Sequence, residues 1–597
     1  MSELDKKPKF GHEMRLLAAS LLSMGVILLW TRFFSPKPPI VPQANRPVQT
    51  GPAMAGNPTT PSTSPTSAPA ALPKGAATGM SRAAAAAVKV TAKSDTDERT
   101  LVVENDLYRV EFSNRGAVVK SWQLKKYLDD AKPQRVLDVV HAEAAQQTGG
   151  WPFALVMDDE QLQAAANGGL YQISSPATTL HAPADAEFSW SDGHLEVTKR
   201  FHFDHTYVVR VETTVKMNGA PARAGIGWLG GFGDLTVSNP APIDTVSVFY
   251  TENGKLTDIA AKKLDGPEKW PPGVWQGGKD WDGIEDRYFA AAFLPPNGAA
   301  PGTLETRYWK ASRTVQAEGK ETQEPVPQVA TAAAAQPSLA LRVYVGPKDY
   351  DELKKMNPPL HALVNFGWLE FIADPLFHAL KWLNKYIPNW GWDIVVLTLV
   401  INILLFPLRI SSYKSTLKMQ RVAPEIKQIQ DKYKKYSMRD PRKAEMNKEV
   451  MAVYSREGIN PVGGCFQMFL QMPIWIGLNT TLRYAIEMRH ARWFGWITDL
   501  SAKDPYYVLP IVMGLSMYLV SKMTPMTSTD PQQQMMMKIM PVTMAGIFMI
   551  SPISSGLAVY IVTSSLVGIL QQWWLNRTHP VSAAPVKAVK ALKGKKA

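Results

Sequence analysis

Five apolar segments, at about 391–409, 464–484, 506–522, 539–551 and 556–575, follow one another through the last third of the chain and constrain what it can fold into. Runs of this length satisfy their own backbone only as helices, and they must bury their sides in lipid or against one another. The fourth is short for a bilayer, and Ser551-Pro552-Ile553-Ser554-Ser555-Gly556 separates it from the fifth. A hairpin with a tight turn and a single broken helix are the two readings of that spacing. Residues 539–575 are 37 positions, about 55 Å of helix at ~1.5 Å per residue, which is far more than one crossing needs. Two spans are therefore expected.

Charge orients these spans. Of a net charge of +13, residues 411–463 supply +6 (12 Lys/Arg against 6 Asp/Glu) and residues 576–597 another +6 (6 Lys/Arg, no acid). Positive charge concentrated beside apolar segments marks cytoplasmic flanks. A nucleic-acid-binding domain would spread it over a folded face, so DNA is excluded as a partner. Residues 16–34 form one more apolar run behind Lys6, Lys7, Lys9 and Arg15, with no small-x-small cleavage site after it. It reads as a retained anchor, so that 1–34 comprise a cytoplasmic stub and a first span. An α-helical polytopic membrane protein with six transmembrane helices follows, both termini cytoplasmic. The mean hydropathy of -0.14 conceals this by averaging over polar segments, and a single cysteine, Cys465, excludes disulfide scaffolds and Cys-rich metal sites.

Residues 35–98 carry 11 Pro and no aromatic residue, a composition that cannot offset chain entropy by burial and predicts a disordered linker. From 99 to 347 the apolar period becomes two. Val209, Val211, Val215 and Met217 fall on one face of a strand and Arg210, Glu212 and Lys216 on the other, and similar runs recur between turn residues. A large antiparallel β-sandwich on the far side of the membrane is expected. Within 348–389, Leu363, Phe366, Leu369, Ile372, Leu376, Leu380 and Leu383 step by three and four, which predicts an amphipathic helix over 360–386 lying on the membrane surface. The cytoplasmic segment 411–459 has a seam of Val422, Ile426, Ile429, Tyr433 and Tyr436 and a second of Met446, Val450 and Val453, separated by Asp440-Pro441. That is a helical hairpin. The insertion of this hairpin into 390–576 leaves a basic tail at 577–597.

No catalytic set is present. Gly225-Ile226-Gly227-Trp228-Leu229-Gly230 fits a dinucleotide loop only in its spacing, because no helix pattern follows it. His202 and His205 fall on opposite faces of a strand-like run and do not make a metal site. No cofactor is expected. The informative residues are polar ones inside apolar spans: Thr398 and Asn402; Gln467, Gln471 and Asn479; Thr563, Ser564 and Ser565. Lipid cannot satisfy them, so they line a wet concavity or bond helix to helix.

The order of segments and several motifs closely resemble the YidC/Oxa/Alb family of membrane protein insertases. Those motifs are Asn460-Pro461-Val462-Gly463-Gly464-Cys465 leading into Gln471-Met472-Pro473, Asp504-Pro505-Tyr506-Tyr507, Met540-Pro541, Ser555-Gly556-Leu557 with Tyr560, and Gln571-Gln572-Trp573-Trp574. In the β-region, Arg287-Tyr288-Phe289 and Tyr344-Val345-Gly346-Pro347-Lys348 are similar to the Gram-negative pattern. The resemblance covers roughly 99–577. It implies a β-supersandwich, an inner-membrane location, nascent membrane proteins as clients, and the Sec translocon as a partner. It also implies a hydrophilic groove, with Thr398, Asn402, Arg409, Gln467, Gln471, Pro473, Tyr560 and Ser564 as its residues here.

One departure matters. Many members carry a cation five positions before the Pro-Leu of the first core span, whereas Pro407-Leu408 places Asn402 there. Arg409 lies seven positions later, two turns along the same face. It either supplies the missing cation at the groove mouth or reaches for lipid headgroups. Gln467 stands where a Pro or an apolar residue is more usual. The tail residues Lys587, Lys590, Lys593, Lys595 and Lys596 suit ribosomal RNA, as the family implies, or anionic lipid. A polytopic solute transporter with a periplasmic receptor domain is the alternative, but neither an intramembrane carboxylate pair nor an inverted repeat supports it.

Overall fold

The computed structural model describes residues 91–236, 246–317, 320–333, 338–436, 440–459, 463–524, 531–550 and 553–580. The expected first span, most of the linker and the basic tail lie outside the described residues, as does the 437–439 link of the hairpin.

Three sheets build the β-domain. The largest has ten strands and centres on Leu195–Phe203, Val208–Met217, Ser338–Pro347 and Phe289–Leu294, and two five-stranded sheets flank it. Pairing among the described strands is antiparallel except between Thr100–Glu104 and Thr179–His181. Aromatic side chains fill the space between sheets. Phe112 of one sheet meets Phe188 and Phe201 of the largest at 5.4 and 4.9 Å between ring centroids, and Trp122 meets Trp228 of the third at 6.3 Å. The period of two holds along Val208–Met217, where Val209, Val211, Thr213 and Val215 are buried; Met217, the last residue of the strand before the turn at Asn218-Gly219, is exposed. The Gly225–Gly230 run forms the strand Ala224–Trp228, hydrogen-bonded on both sides, so no phosphate-binding turn exists.

One inward position breaks the apolar pattern. Lys199 sits between Val197 and Phe201 on the buried face and is wholly enclosed. Its Nζ donates to the carbonyls of Gly116 (2.7 Å), Ala117 (3.2 Å) and Phe153 (2.7 Å). Each of the three acceptors belongs to a residue with positive φ, so the ammonium ties down turns that would otherwise bury unpaired carbonyls. No carboxylate partners it among the described residues, and burial pushes its pKa down to about 7.

Ten helices are numbered among the described residues. The short α1 (Ala142–Thr148), α2 (Glu160–Gly168) and α3 (Tyr350–Lys355) belong to the β-domain and its exit. Then come α4 (Glu370–Asn384), α5 (Trp390–Lys432), α6 (Arg442–Arg456), α7 (Gly463–Tyr484), α8 (Val508–Met523), α9 (Pro531–Ile550) and α10 (Ser555–Thr578). The helix expected over 360–386 begins only at Glu370, after two 3-10 turns. Much of its apolar stripe is covered by protein rather than lipid: Leu363, Phe366, Leu369 and Leu380 are buried, and Thr481 of α7 donates to the Ala373 carbonyl at 3.0 Å. What it leaves exposed is Phe371, Trp382 and Tyr386.

The first core span and the first arm of the hairpin form one helix. α5 starts at an Asn389 cap, runs for 43 residues through Pro407 and Pro424, and is about 65 Å long at ~1.5 Å per residue. In its far half, Val422 and Ile426 pack with Val453 of α6 and with Ile459 just beyond it. Residues 531–550 and 555–578 are two separate helices, and both pack on α8, where Gly514 lets Ala545 come close enough that a Cβ there would overlap it at 2.5 Å. Among the described residues, α5 and α10 are long and apolar enough to cross a bilayer, and α8 is a shorter apolar helix.

The β-domain is joined to the helical half by a buried ion pair. Arg489, just after α7, donates to Asp234 (2.6 Å) and to the Leu128 carbonyl (2.6 Å), with both charged side chains nearly inaccessible.

A pH dependence follows from Lys199. The unfolded lysine holds its proton to about pH 10.4, whereas the folded one releases it near 7, so stability rises as pH increases between those values. Chemical unfolding followed by tryptophan fluorescence should show Lys199→Met losing roughly 2 kcal/mol of the gain between pH 7 and 9. Equal pH profiles for the two proteins would refute the assignment.

Candidate functional site

Two helical stripes face each other inside the bundle. Asn402, Leu405 and Arg409 of α5 are spaced by three and four, as are Tyr560, Ser564 and Gln571 of α10 by four and seven, so each set lies on one helix face. Gln471, Met472 and Trp475 of α7, Met517 of α8, and Met544 and Phe548 of α9 complete a cavity of about 550 Å³. Four helices besides α5 thus supply its wall.

The polar side chains meet one another across this space. Arg409 donates from Nη1 to Gln571 Oε1 (2.7 Å) and from Nη2 to the Gly568 carbonyl (3.3 Å). Gln571 Nε2 in turn donates to the Asn402 carbonyl at 3.2 Å, next to the Ile403 carbonyl that Pro407 cannot serve. Asn402 Nδ2 donates to the Thr398 carbonyl (2.8 Å) and reaches Ser564 Oγ at 3.5 Å, and Gln471 Nε2 donates to the Tyr560 hydroxyl at 3.1 Å. No carboxylate pairs with Arg409 among the described residues. Its guanidinium therefore faces the cavity with its charge uncompensated.

The two ends of the cavity differ. Toward the β-domain, Ile394, Leu397, Leu557, Val559 and Tyr560 are buried together, and the start of α10 is held by Ser555 and Gly556 donating to the Ala502 and Leu500 carbonyls at 2.7 and 2.8 Å. That end is apolar and closed by packing. Toward the hairpin lie Arg409 and Gln571, which are polar.

Of the expected residues, Asn402, Arg409, Gln471, Tyr560 and Ser564 come together on this cavity. Thr398 does not line it: its hydroxyl donates to the Ile394 carbonyl of its own helix at 2.6 Å and is buried among apolar neighbours. Pro473 lies inside α7 but off the lining. The Gln467 side chain lies outside the described residues. Sequence reasoning missed Gln571 and the soft wall of Met472, Met517 and Met544, for which the signal available was the abundance of Met in these apolar helices.

Comparison with known proteins bears on what such a cavity serves. A model of the YidC periplasmic domain matches residues 100–379, and one of the 60Kd inner membrane protein matches 382–582. A membrane protein insertase YidC of Syntrophus aciditrophicus is 31% identical over 586 residues, covering 94% of this chain and 99% of the relative. The chain belongs to the YidC family of membrane protein insertases. Another insertase YidC, of Citrifermentans bemidjiense, is 32% identical over 571 residues, covering 95% of this chain and 99% of the relative. Among solved structures, an active YidC insertase with its first transmembrane domain resolved is 17% identical, with 83% of this chain and 95% of that one covered at a TM-score of 0.34. The family is one of insertases and not of enzymes.

The polarity of the cavity can be measured. In a Cys465→Ser background, Ser564→Cys should react with a charged thiol reagent within about tenfold of the rate of a fully exposed cysteine, because the thiolate needs water. Leu557→Cys, at the apolar end, should react slower by about 100-fold. Equal slow rates at both positions would show the cavity to be dry.

Proposed function

We propose that this protein inserts other membrane proteins into the bacterial inner membrane by taking their polar segments into the cavity between α5, α7 and α10 while their apolar segments pass along the helices into lipid. The observation that carries this reading is the convergence of Asn402, Arg409, Gln471, Ser564 and Gln571 on one cavity inside an apolar bundle. Each polar group left unsatisfied in hydrocarbon costs several kcal/mol, and a lining of amides, hydroxyls and water lowers that barrier without covalent chemistry. Methionine walls suit a site that must accept many client sequences, since the thioether side chain repacks easily.

The chain is read as crossing the membrane six times, with 16–34, the near half of α5, α7, α8, α9 and α10 as spans and both termini in the cytoplasm. The placement of positive charge supports this topology. The β-domain then lies in the periplasm, the closed end of the cavity faces it, and the polar end with the α5–α6 hairpin faces the cytoplasm. At 16 residues, α8 is about 24 Å long against a hydrocarbon core of ~30 Å, a mismatch that thins the bilayer beside the cavity. Nascent membrane proteins are the clients, alone or beside the Sec translocon. The basic tail and hairpin contact the ribosome or anionic lipid through salt-sensitive phosphate attraction.

In this reading Arg409 is the cation that attracts acidic client segments, and Asn402 keeps the interior hydrated. Purified protein in proteoliposomes should insert a small phage-coat-like substrate with no solute gradient, an outcome a solute transporter would not give. Arg409→Ala should slow insertion of an acidic-tailed substrate by about tenfold, equivalent to ~1.4 kcal/mol, and leave a neutral-tailed one unchanged; Arg409→Lys should restore most of the rate. Normal insertion of the acidic substrate by Arg409→Ala would remove Arg409 from this role.

A further inference from the structure

A second chamber lies where the β-domain meets the helical half, and it is larger than the first, at about 610 Å³. Its walls come from the β-domain loop at 130–134, from Arg287-Tyr288, from the 489–505 segment after α7, and from Ser554-Ser555 at the start of α10. In one wall stand Asp130, His490 and Asp499, the one trio among the described residues whose nitrogen and oxygen donor atoms all lie within 4.8 Å of one another. None of these residues takes part in the cavity between α5, α7 and α10.

We propose that Asp130, His490 and Asp499 bind one divalent transition-metal cation, Zn²⁺ by the donor set, and that this ion staples the β-domain to the helical half. Imidazole with two carboxylates suits Zn²⁺, whose ligands at ~2.0–2.1 Å in tetrahedral geometry stand about 3.3 Å apart. His490 Nε2 lies 2.6 Å from Asp130 Oδ1 and 3.9 Å from Asp499 Oδ2, distances that bracket that separation, and all three donors lie within 4.8 Å of one another.

The surroundings fix the donors. Asp499 Oδ1 accepts from the Ser501 backbone N–H (2.7 Å) and hydroxyl (2.8 Å), which leaves Oδ2 toward His490. The Asp130 backbone N–H donates to Thr236 Oγ1 at 2.7 Å. His490 itself sits at φ 56, in the left-handed region.

The charges around the trio are mixed. Arg489 lies 3.7 Å from Asp130 but is matched by Asp234 at 2.6 Å, in a pair almost fully buried. Asp130 and Asp499 with a neutral imidazole then present two negative charges, which one divalent cation neutralises. Lys132, Arg287, Arg492 and Lys503 also line the chamber, and an anion at the fourth coordination position would offset part of their charge.

The staple follows from where the ligands sit in the chain. Asp130 belongs to the β-domain loop, whereas His490 and Asp499 belong to the segment between α7 and α8. A cation held by all three reinforces the Arg489–Asp234 pair beside it.

Tag-free full-length protein in detergent, stripped with a chelator, tests this by titration with Co²⁺ and with Zn²⁺ alone. One equivalent of Co²⁺ should bind with visible d–d bands of tetrahedral intensity, Zn²⁺ should displace it, and Zn²⁺ should raise the Tm by a few degrees. His490→Ala and the milder Asp499→Asn should each weaken binding by at least about tenfold and abolish the Tm shift. Absence of a saturable equivalent in the unaltered protein, or binding unchanged in Asp499→Asn, would overturn the proposal and leave His490–Asp130 as an ordinary hydrogen-bonded pair.

Discussion

Hydrocarbon offers no hydrogen-bond partner, so a polar side chain on an apolar helix such as α5 or α10 has to be met by its own helix, by a neighbouring one or by water. The arrangement of the bundle answers to that constraint. Near the β-domain the facing residues are Ile394, Leu397, Leu557 and Val559, and the helices close on one another. From Asn402 onward each helix presents an amide, a hydroxyl or a guanidinium, and the side chains reach across a space instead of packing it shut. The bonds formed are few for the donors available. Arg409 carries five N–H groups and two acceptors face it, Gln571 and Gly568, so the remaining capacity is left for water.

The alternation of Val209, Val211 and Val215 was legible because a half-buried strand repeats every two residues, and so was the set Asn402, Gln471 and Ser564, because polar residues stand out against apolar spans, whereas Tyr560 came only with the family resemblance. Other features depend on contacts that sequence spacing cannot express. Proline normally ends a helix, yet α5 continues through Pro407 and Pro424, with neighbouring groups such as Gln571 supplying donors close to the interrupted turn. A lysine in a strand reads as outward-facing, and Lys199 is inward only because three turn carbonyls, from residues far away in the chain, converge there. Asp130 and His490 are 360 positions apart, so no local motif announces their meeting.

Continuity of α5 joins regions that the sequence presents as separate. The same helix holds Asn402 and Arg409 in the cavity and Val422 and Ile426 in the hairpin core, over about 65 Å. A displacement of α6 therefore acts directly on the groove wall, with no loop between to absorb it. At the opposite end, α4 is tied through Lys381 to Asp351 (2.7 Å) and Glu487 (3.1 Å), and Arg489 is tied to Asp234, so the bundle has an anchored end and a levered end. On the proposed reading, that difference would suit a bundle that admits clients from one side.

On the proposed reading, the depth of the cation would set how the groove distinguishes clients. Arg409 stands seven residues, about 10 Å, beyond Asn402 along the helix. At an effective dielectric constant of ~20, a carboxylate in contact with Arg409 gains about 4 kcal/mol of Coulomb energy, whereas one at the level of Asn402 gains only ~1.7 kcal/mol. The field thus draws an acidic segment to the mouth and weakens as that segment moves inward. A cation at position 402 would do the reverse, holding the carboxylate at the deepest point and paying a larger desolvation cost for its own burial. With Asn402 there instead, the interior stays polar without a charge to trap the client, and the segment is free to leave as the apolar part enters lipid.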